Sequence, residues 1–236
     1  FVKMVARRHG LVATFMPKPY FGEAGSGMHF HQHLFLKGAP IFADEKGNAG
    51  LSRAALAYTA GLLSHAPALL GITNPSTNSY RRLIPGYEAP VNAFFSLGNR
   101  SAAIRIPKYT RQADEKRIEF RTPDATCNPY LAMAAQLMAG LDGMQRNLDP
   151  TALGLGPFDG NVFDMPEAER KAKIKPLPAS LDEALDALAA DHAFLTAGHV
   201  FTDLMVADWC RLKRACESDA IRVRPHPYEV ELHLDC

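Results

Sequence analysis

Four cysteines in 236 residues, Cys127, Cys210, Cys216 and Cys236, form no CxxC pair and are too sparse to staple a fold of this size. That scarcity favours a reducing compartment, and the expectation is a cytoplasmic protein. No run of 18 or more apolar residues occurs, which excludes a spanning helix. Excess charge of either sign is missing too. With 26 Lys and Arg against 25 Asp and Glu, a net charge of +1 supplies no global field for nucleic acid or an anionic membrane, and neither is expected as a partner. A Walker loop and a GxGxxG after a strand are both absent, so any nucleotide is held in another way. What the chain does have is 47% hydrophobic residues, enough for a sizeable core and incompatible with intrinsic disorder. It opens Phe1-Val2-Lys3-Met4, with neither an initiator Met nor a signal peptide, and the expectation is a piece of a longer protein.

Helical signals crowd the C-terminal half. Ser180-Leu181-Asp182-Glu183 is a capping box ahead of Leu185, Leu188 and Ala189, predicting a helix over 181–190. Asn128-Pro129 reads as an N-cap with Pro at the first helical position, opening a helix through Leu131, Ala135, Met138 and Leu141. Further helices are expected across 201–217 and 51–66, the latter ended by Pro67. From Gly71 to Thr110, Pro, Asn, Ser, Gly and Arg predict long functional loops between short strands, and 154–178 reads as a surface excursion.

Two segments alternate as strands do. Period two places His29, His31 and His33 on one face of Met28–Leu34, with Met28, Phe30 and Leu34 on the other. The same arithmetic gathers Arg117, Glu119 and Arg121 in Lys116–Arg121 and sends Ile118 and Phe120 into a core. Three imidazoles roughly 6–7 Å apart along a strand suit either a metal site or a solvated face, and Gly22, Gly25 and Gly27 just before them let backbone approach a ligand. The turn Pro85-Gly86-Tyr87-Glu88 follows Arg81-Arg82; taken alone, a surface turn with a casual ion pair is the better reading. Counting sharpens the case, because Arg82, Arg100, Arg105, Arg117 and Arg121 fall within 40 positions. Guanidinium forks bind phosphate and carboxylate, and carboxylate, imidazole and arginine together suit phosphoryl transfer with a divalent metal.

Phe15-Met16-Pro17-Lys18-Pro19, Gly25-Ser26-Gly27-Met28-His29, Asn78-Ser79-Tyr80 with Arg82, Pro85-Gly86-Tyr87-Glu88-Ala89-Pro90, Asn99-Arg100-Ser101 and Arg117-Ile118-Glu119-Phe120-Arg121 closely resemble the catalytic region of class I glutamine synthetase. The likeness runs on through Asn128-Pro129-Tyr130 to His226-Pro227-Tyr228-Glu229. It implies an α/β (α+β) domain over residues 1–236, a curved antiparallel sheet backed by helices, without the family's N-terminal β-grasp domain. The implied reaction is ATP-dependent ligation of ammonium to L-glutamate through γ-glutamyl phosphate. By position, His29 and Glu119 correspond to ligands of Mg2+ or Mn2+, and His31, His33, Arg100, Arg105 and Arg117 lie toward ATP. Gly25, Arg82, Glu88, Arg100 and Arg121 correspond to groups that hold glutamate; Glu88 and Arg100 are the catalytic pair, Glu88 on a flap that binds ammonium and takes up a proton.

The sequence departs from the family pattern at several points. His33 stands where many members carry Ser, and Ala24 where many carry Asn, which leaves room for a γ-glutamyl ligase acting on another amine. Phe163 replaces a Tyr that some bacterial members adenylylate, so that modification has no hydroxyl here. No ATP-binding lysine is assigned in 108–115. Only 28 residues precede His29, and Glu23 is the sole acidic residue among them, so the family's ExE pair and further glutamates are not in this chain. Two ligands do not enclose a cation that takes about six donors, and the chain alone is expected to be inactive. A dodecamer is implied for full-length members and is in doubt for this piece. A rival from another class is a non-catalytic member that binds nucleotide or a partner.

Overall fold

The computed structural model describes residues 1–87, 89–109, 112–160 and 162–236, so Glu88 lies outside the described residues. A short helix α1 (Val2–Arg8) is followed by β1 (Phe30–Gln32) and the hairpin β2 (Phe35–Leu36) and β3 (Ala39–Pro40). Next come α2 (Arg53–Ser64), α3 (Ala66–Thr73), α4 (Thr77–Arg82), β4 (Asn92–Ser96), β5 (Ala102–Arg105) and β6 (Ile118–Phe120). The remainder is helical: α5 (Pro129–Gln145), α6 (Glu167–Lys173), α7 (Leu181–Ala190), α8 (Ala193–Thr196), α9 (Asp203–Lys213), α10 (Asp219–Arg222) and α11 (Pro227–His233). No single helix among the described residues is long and apolar enough to cross a membrane.

The capping signals act as chemistry requires. Ser180 Oγ accepts from the Glu183 amide and opens α7, and the Asn128 side chain accepts from the Tyr130 and Leu131 amides to open α5. The predicted 201–217 helix is α9, capped by Thr202, followed by a wider π-type turn over Arg214–Ser218. Pro67 does not end a helix. It sits in the first turn of α3, and the break falls one residue before α3 at His65. The 71–110 region is likewise more ordered than its composition suggests. Ser76 and Ser79 cap each other reciprocally to start α4, and β4 and β5 are almost wholly buried.

The main sheet runs β1-β6-β5-β4. β1 and β5 flank β6 antiparallel, as expected, whereas β4 lies parallel to β5. The mixed sheet follows from 97–101. Ala102 pairs with Asn92, so five residues must travel back along β4, a span their ~3.3 Å per residue can cover. Asp159 Oδ1 fixes that return by accepting from Ser96 Oγ and the Leu97 amide, while Asn99 Nδ2 donates to the Gly160 carbonyl. The 154–178 segment is therefore no mere excursion. Through Leu155, Lys175 and Leu177 its backbone bonds the outer edge of β4, and Leu155, Val162 and Ile174 are buried.

The helices bury the other side. Phe42, Tyr58, Leu62, Leu69, Leu70, Phe95, Ile104, Ile118, Phe120, Leu185 and Leu188 form one core. α2 and α5 cross at glycines: a Cβ on Gly61 would stand 2.2 Å from the Ala139 carbonyl oxygen, and one on Gly140 2.0 Å from the Tyr58 ring. Their approach puts Tyr58 and Gln136 beneath β1, where Tyr58 Oη donates to Gln32 Oε1 (2.6 Å) and Gln32 Nε2 donates to Gln136 Oε1 (2.8 Å).

Candidate active site

The register of the sheet builds the site. Glu119 on β6 stands opposite His31 on β1 and Arg105 on β5, a row of imidazole, carboxylate and guanidinium across three strands. His29, just before β1, brings Nδ1 to 2.9 Å from Glu119 Oε1, and Arg121 Nη1 reaches the same oxygen at 2.9 Å. Arg105 Nη2 lies 2.5 Å from Oε2. The carboxylate is 2% exposed. Burial alone would raise its pKa, but the hydrogen bond with His29 and the charges of Arg121 and Arg105 outweigh burial and hold it near about 2. Burial also lowers the pKa of His31, joined by Arg117 and Arg105 and opposed by Glu119.

Three further elements frame this row. Arg82, 5% exposed at the end of α4, donates to the carbonyls of Arg121 (3.0 Å), Thr122 (2.7 Å) and Pro123 (3.1 Å), fixing the chain as it leaves β6. The 25–27 loop lies directly on it: a Cβ on Gly27 would stand 2.5 Å from Arg82 Nη2 and 2.8 Å from His29 Nε2. On the far side, Arg117 Nε donates to His31 Nδ1 (3.3 Å), and Nη2 donates to Tyr109 Oη (3.3 Å). Arg100 lies in the return between β4 and β5, near enough for its charge to help lower the pKa of Arg121, after burial and Arg105 and against Glu119.

The candidates His29, His31, Arg105, Arg117, Glu119 and Arg121 are thus one connected cluster, with Gly25 and Arg82 as its floor. His33 stands apart, its Nδ1 3.1 Å from the Asp114 carbonyl oxygen and its ring edge-on to Phe35. The three histidines do not converge, and among the described residues no group of three or more His, Cys, Asp or Glu is placed to hold a metal. Sequence reasoning assigned no role to Gln32 or Lys18. Gln32 had a signal, a polar side chain on the apolar face of its strand, but Lys18 is marked only by its place between two prolines.

The description "glutamine synthetase, catalytic domain" matches residues 1–233. The chain belongs to the glutamine synthetase catalytic-domain family. Glutamine synthetase of Microchaete diplosiphon is 52% identical over 235 residues, all of this chain and 49% of that protein, and that of Frankia alni is 52% identical over 234 residues, 99% and 48%. The Plasmodium falciparum glutamine synthetase structure superposes with a TM-score of 0.84 at 31% identity, covering 98% of this chain and 51% of that one. GmaS in complex with ADP gives 0.82 at 34% identity, covering 100% and 52%. The chain spans about half the length of the relatives it matches. Those matches run from one end of the chain to the other, so the Glu119 cluster lies inside the shared family fold.

Proposed function

We propose that this chain is the catalytic portion of an ATP-dependent carbon–nitrogen ligase that joins ammonium to L-glutamate. The observation that supports it is the row His31–Glu119–Arg105 with His29 and Arg121 on the same carboxylate. A buried, ionised Glu119 faces two guanidinium groups, and among the described residues Arg105 Nε and Arg121 Nε have no hydrogen-bond partner, a donor surplus that suits an anion at this face. The ADP held by GmaS supports a nucleotide as that anion's source.

In the first step a γ-carboxylate oxygen of glutamate attacks the terminal phosphorus of ATP, and ADP leaves. Arg100, Arg105 and Arg117 offset the charge that develops, with His31 and His33 on the nucleotide side. Arg121 holds the glutamate and Gly25 lets backbone close on it, while Arg82, whose described bonds all go to carbonyls, acts by fixing the strand that carries Arg121. Ammonia then attacks the acyl carbon, phosphate departs, and the surplus proton passes to Glu88, which closes the site against water. A bound Mg2+ or Mn2+ would neutralise the phosphate oxygens. His29 and Glu119 have the right chemistry for it, but Glu119 Oε2 is already ion-paired with Arg105, and two donors fall short of six. The chain by itself is proposed to be inactive, its active form a cytoplasmic homo-oligomer of the full-length protein, a dodecamer if it assembles as the resemblance implies. Leu11, Val12, Phe21, Leu232 and Leu234, exposed near the two ends, are consistent with burial in such an assembly.

The test is phosphate release by the full-length protein given glutamate, ammonia, ATP and Mg2+, with glutamine measured in parallel; no phosphate released sinks the assignment. Ala24 favours one second reading, a γ-glutamyl ligase for another amine. In a panel of amines, that reading requires a substituted amine to outrun ammonia.

A further inference from the structure

Lys18 is 9% exposed, yet its ammonium has no carboxylate partner among the described residues. It donates to the Glu23 carbonyl and lies 3.8 Å from the centroid of the Tyr87 ring. Its backbone is held just as firmly: the Lys18 amide donates to Asn78 Oδ1 (2.8 Å), and Asn78 Nδ2 donates to the Lys18 carbonyl (2.9 Å). One residue before, the Pro17 carbonyl accepts from the Ser26 amide, in the loop that lies on Arg82 and His29. Lys18 therefore ties three segments together: the glycine loop over the site, α4 through Asn78, and the turn Pro85-Gly86-Tyr87 that leads into Glu88.

A cavity of about 730 Å³ opens beside that turn, lined by Lys18, Tyr20, Tyr80, Arg81 and Ile84. Gly86 takes a left-handed φ of +96°, a backbone state that only glycine holds without strain. A buried ammonium over an aromatic face is among the stronger forms of this contact, because little water competes for the cation.

We infer that Lys18 is a positioning residue, a cation–π latch that ties Tyr87, one residue before Glu88 in sequence, to the backbone at Glu23 just ahead of the glycine loop. The inference rests on the reading of Glu88 as the group that closes the site. In the full-length protein, Lys18→Met should lower kcat/KM for ammonium by roughly tenfold, leave the KM for ATP within about twofold, and raise the phosphate released per glutamine formed as water reaches the acyl phosphate. Tyr87→Leu should do the same, and the double variant should be no worse than either single change. Tyr87→Phe keeps the ring and Lys18→Arg keeps the cation, so both should restore most of the coupling. Equal loss for ammonium and ATP, or Tyr87→Phe as damaging as Tyr87→Leu, overturns the latch. A second readout is independent of activity: in the full-length protein, hydrogen exchange at the Ile84 amide, which donates to the Arg82 carbonyl (2.9 Å) at the foot of the turn, should quicken roughly tenfold in Lys18→Met and in Tyr87→Leu. Should Lys18→Met fail to fold, Tyr87→Leu carries both measurements. Unchanged exchange rejects the latch even if the ligase reading stands, whereas a wild-type protein that releases no phosphate rejects the ligase reading and leaves the exchange result to decide the latch.

Discussion

Replacing Gly61 by alanine tests how closely α2 and α5 depend on the absence of a side chain. A Cβ at Gly61 would meet the Ala139 carbonyl oxygen at 2.2 Å and Gly143 backbone atoms at 2.8 Å, against ordinary contacts of 3.4–4 Å. The three nearest atoms are all backbone, so no rotamer change relieves the clash and the helices themselves must part by about an ångström. Parting them loosens Tyr58, Leu62, Ala135 and Ala139, all buried in the same core. Overpacking of this kind costs about 3 kcal/mol, and alanine's helix propensity returns about 1 kcal/mol. The net loss of about 2 kcal/mol corresponds to a melting point lower by roughly 4–8 °C in a domain of this size. Trp209, the sole tryptophan, is a suitable probe, since its Nε1 donates to the Gly71 carbonyl at 2.8 Å and reports the docking of α9 on α3. Gly160→Ala is the control, with nothing within 4 Å of its Cβ. Adding Gly143→Ala to Gly61→Ala should cost less than the sum, because helices already separated accept the second methyl. A Gly61→Ala chain that melts at or above wild type refutes this account of the crossing.

Two pH dependences have opposite signs. Glu119, held near about 2 against an ordinary 4.5, contributes stability that is present above 4.5 and lost as pH falls toward 2. Glu119→Gln should therefore remove about 3 kcal/mol at neutral pH and flatten the acid limb of the urea-midpoint profile; an unchanged acid limb would contradict the pairing. His65 is squeezed between Asp191 (2.7 Å) and Asp142 (2.9 Å) and stacks on Phe194. Burial lowers its pKa, but the two carboxylates outweigh burial and raise it above 6.5. Its stabilisation is thus complete below 6.5 and is lost as pH climbs through the raised value. His65→Gln should abolish most of the fall in urea midpoint between about pH 6 and pH 9, and equal slopes in wild type and variant would count against the bridge.

Local chemistry was legible and distant chemistry was not. Ser180 and Asn128 announce α7 and α5 because a cap acts within three residues of itself. The alternation in Arg117-Ile118-Glu119-Phe120-Arg121 revealed the charged face of β6, since a strand's two faces are fixed by its own period. What period cannot show is which strand comes alongside. The opposition of Arg105 to Glu119 depends on β5, where Ala102, Ala103 and Ile104 are all buried and no alternation survives. The break between α2 and α3 was misread because Pro67 suits a first turn as well as a stop, and the partners of His65 lie 77 and 126 residues away. The reading of 154–178 as a surface excursion fails for a similar reason: its Gly and Pro describe irregular backbone, and irregular backbone can still pair with a strand.

The amide of Gln32 gives the histidines of its strand their address. Side chains on a strand change face with every residue, so a slip of one position in β1 would set Phe30 or Gln32, instead of His31, opposite Glu119. Gln32, clasped by Tyr58 of α2 and Gln136 of α5, prevents that slip from beneath. The crossing of α2 and α5 thus decides which residue of β1 meets the carboxylate. In a redesign of this site, new ligands could be written on β1 freely as long as the glutamine under them is kept.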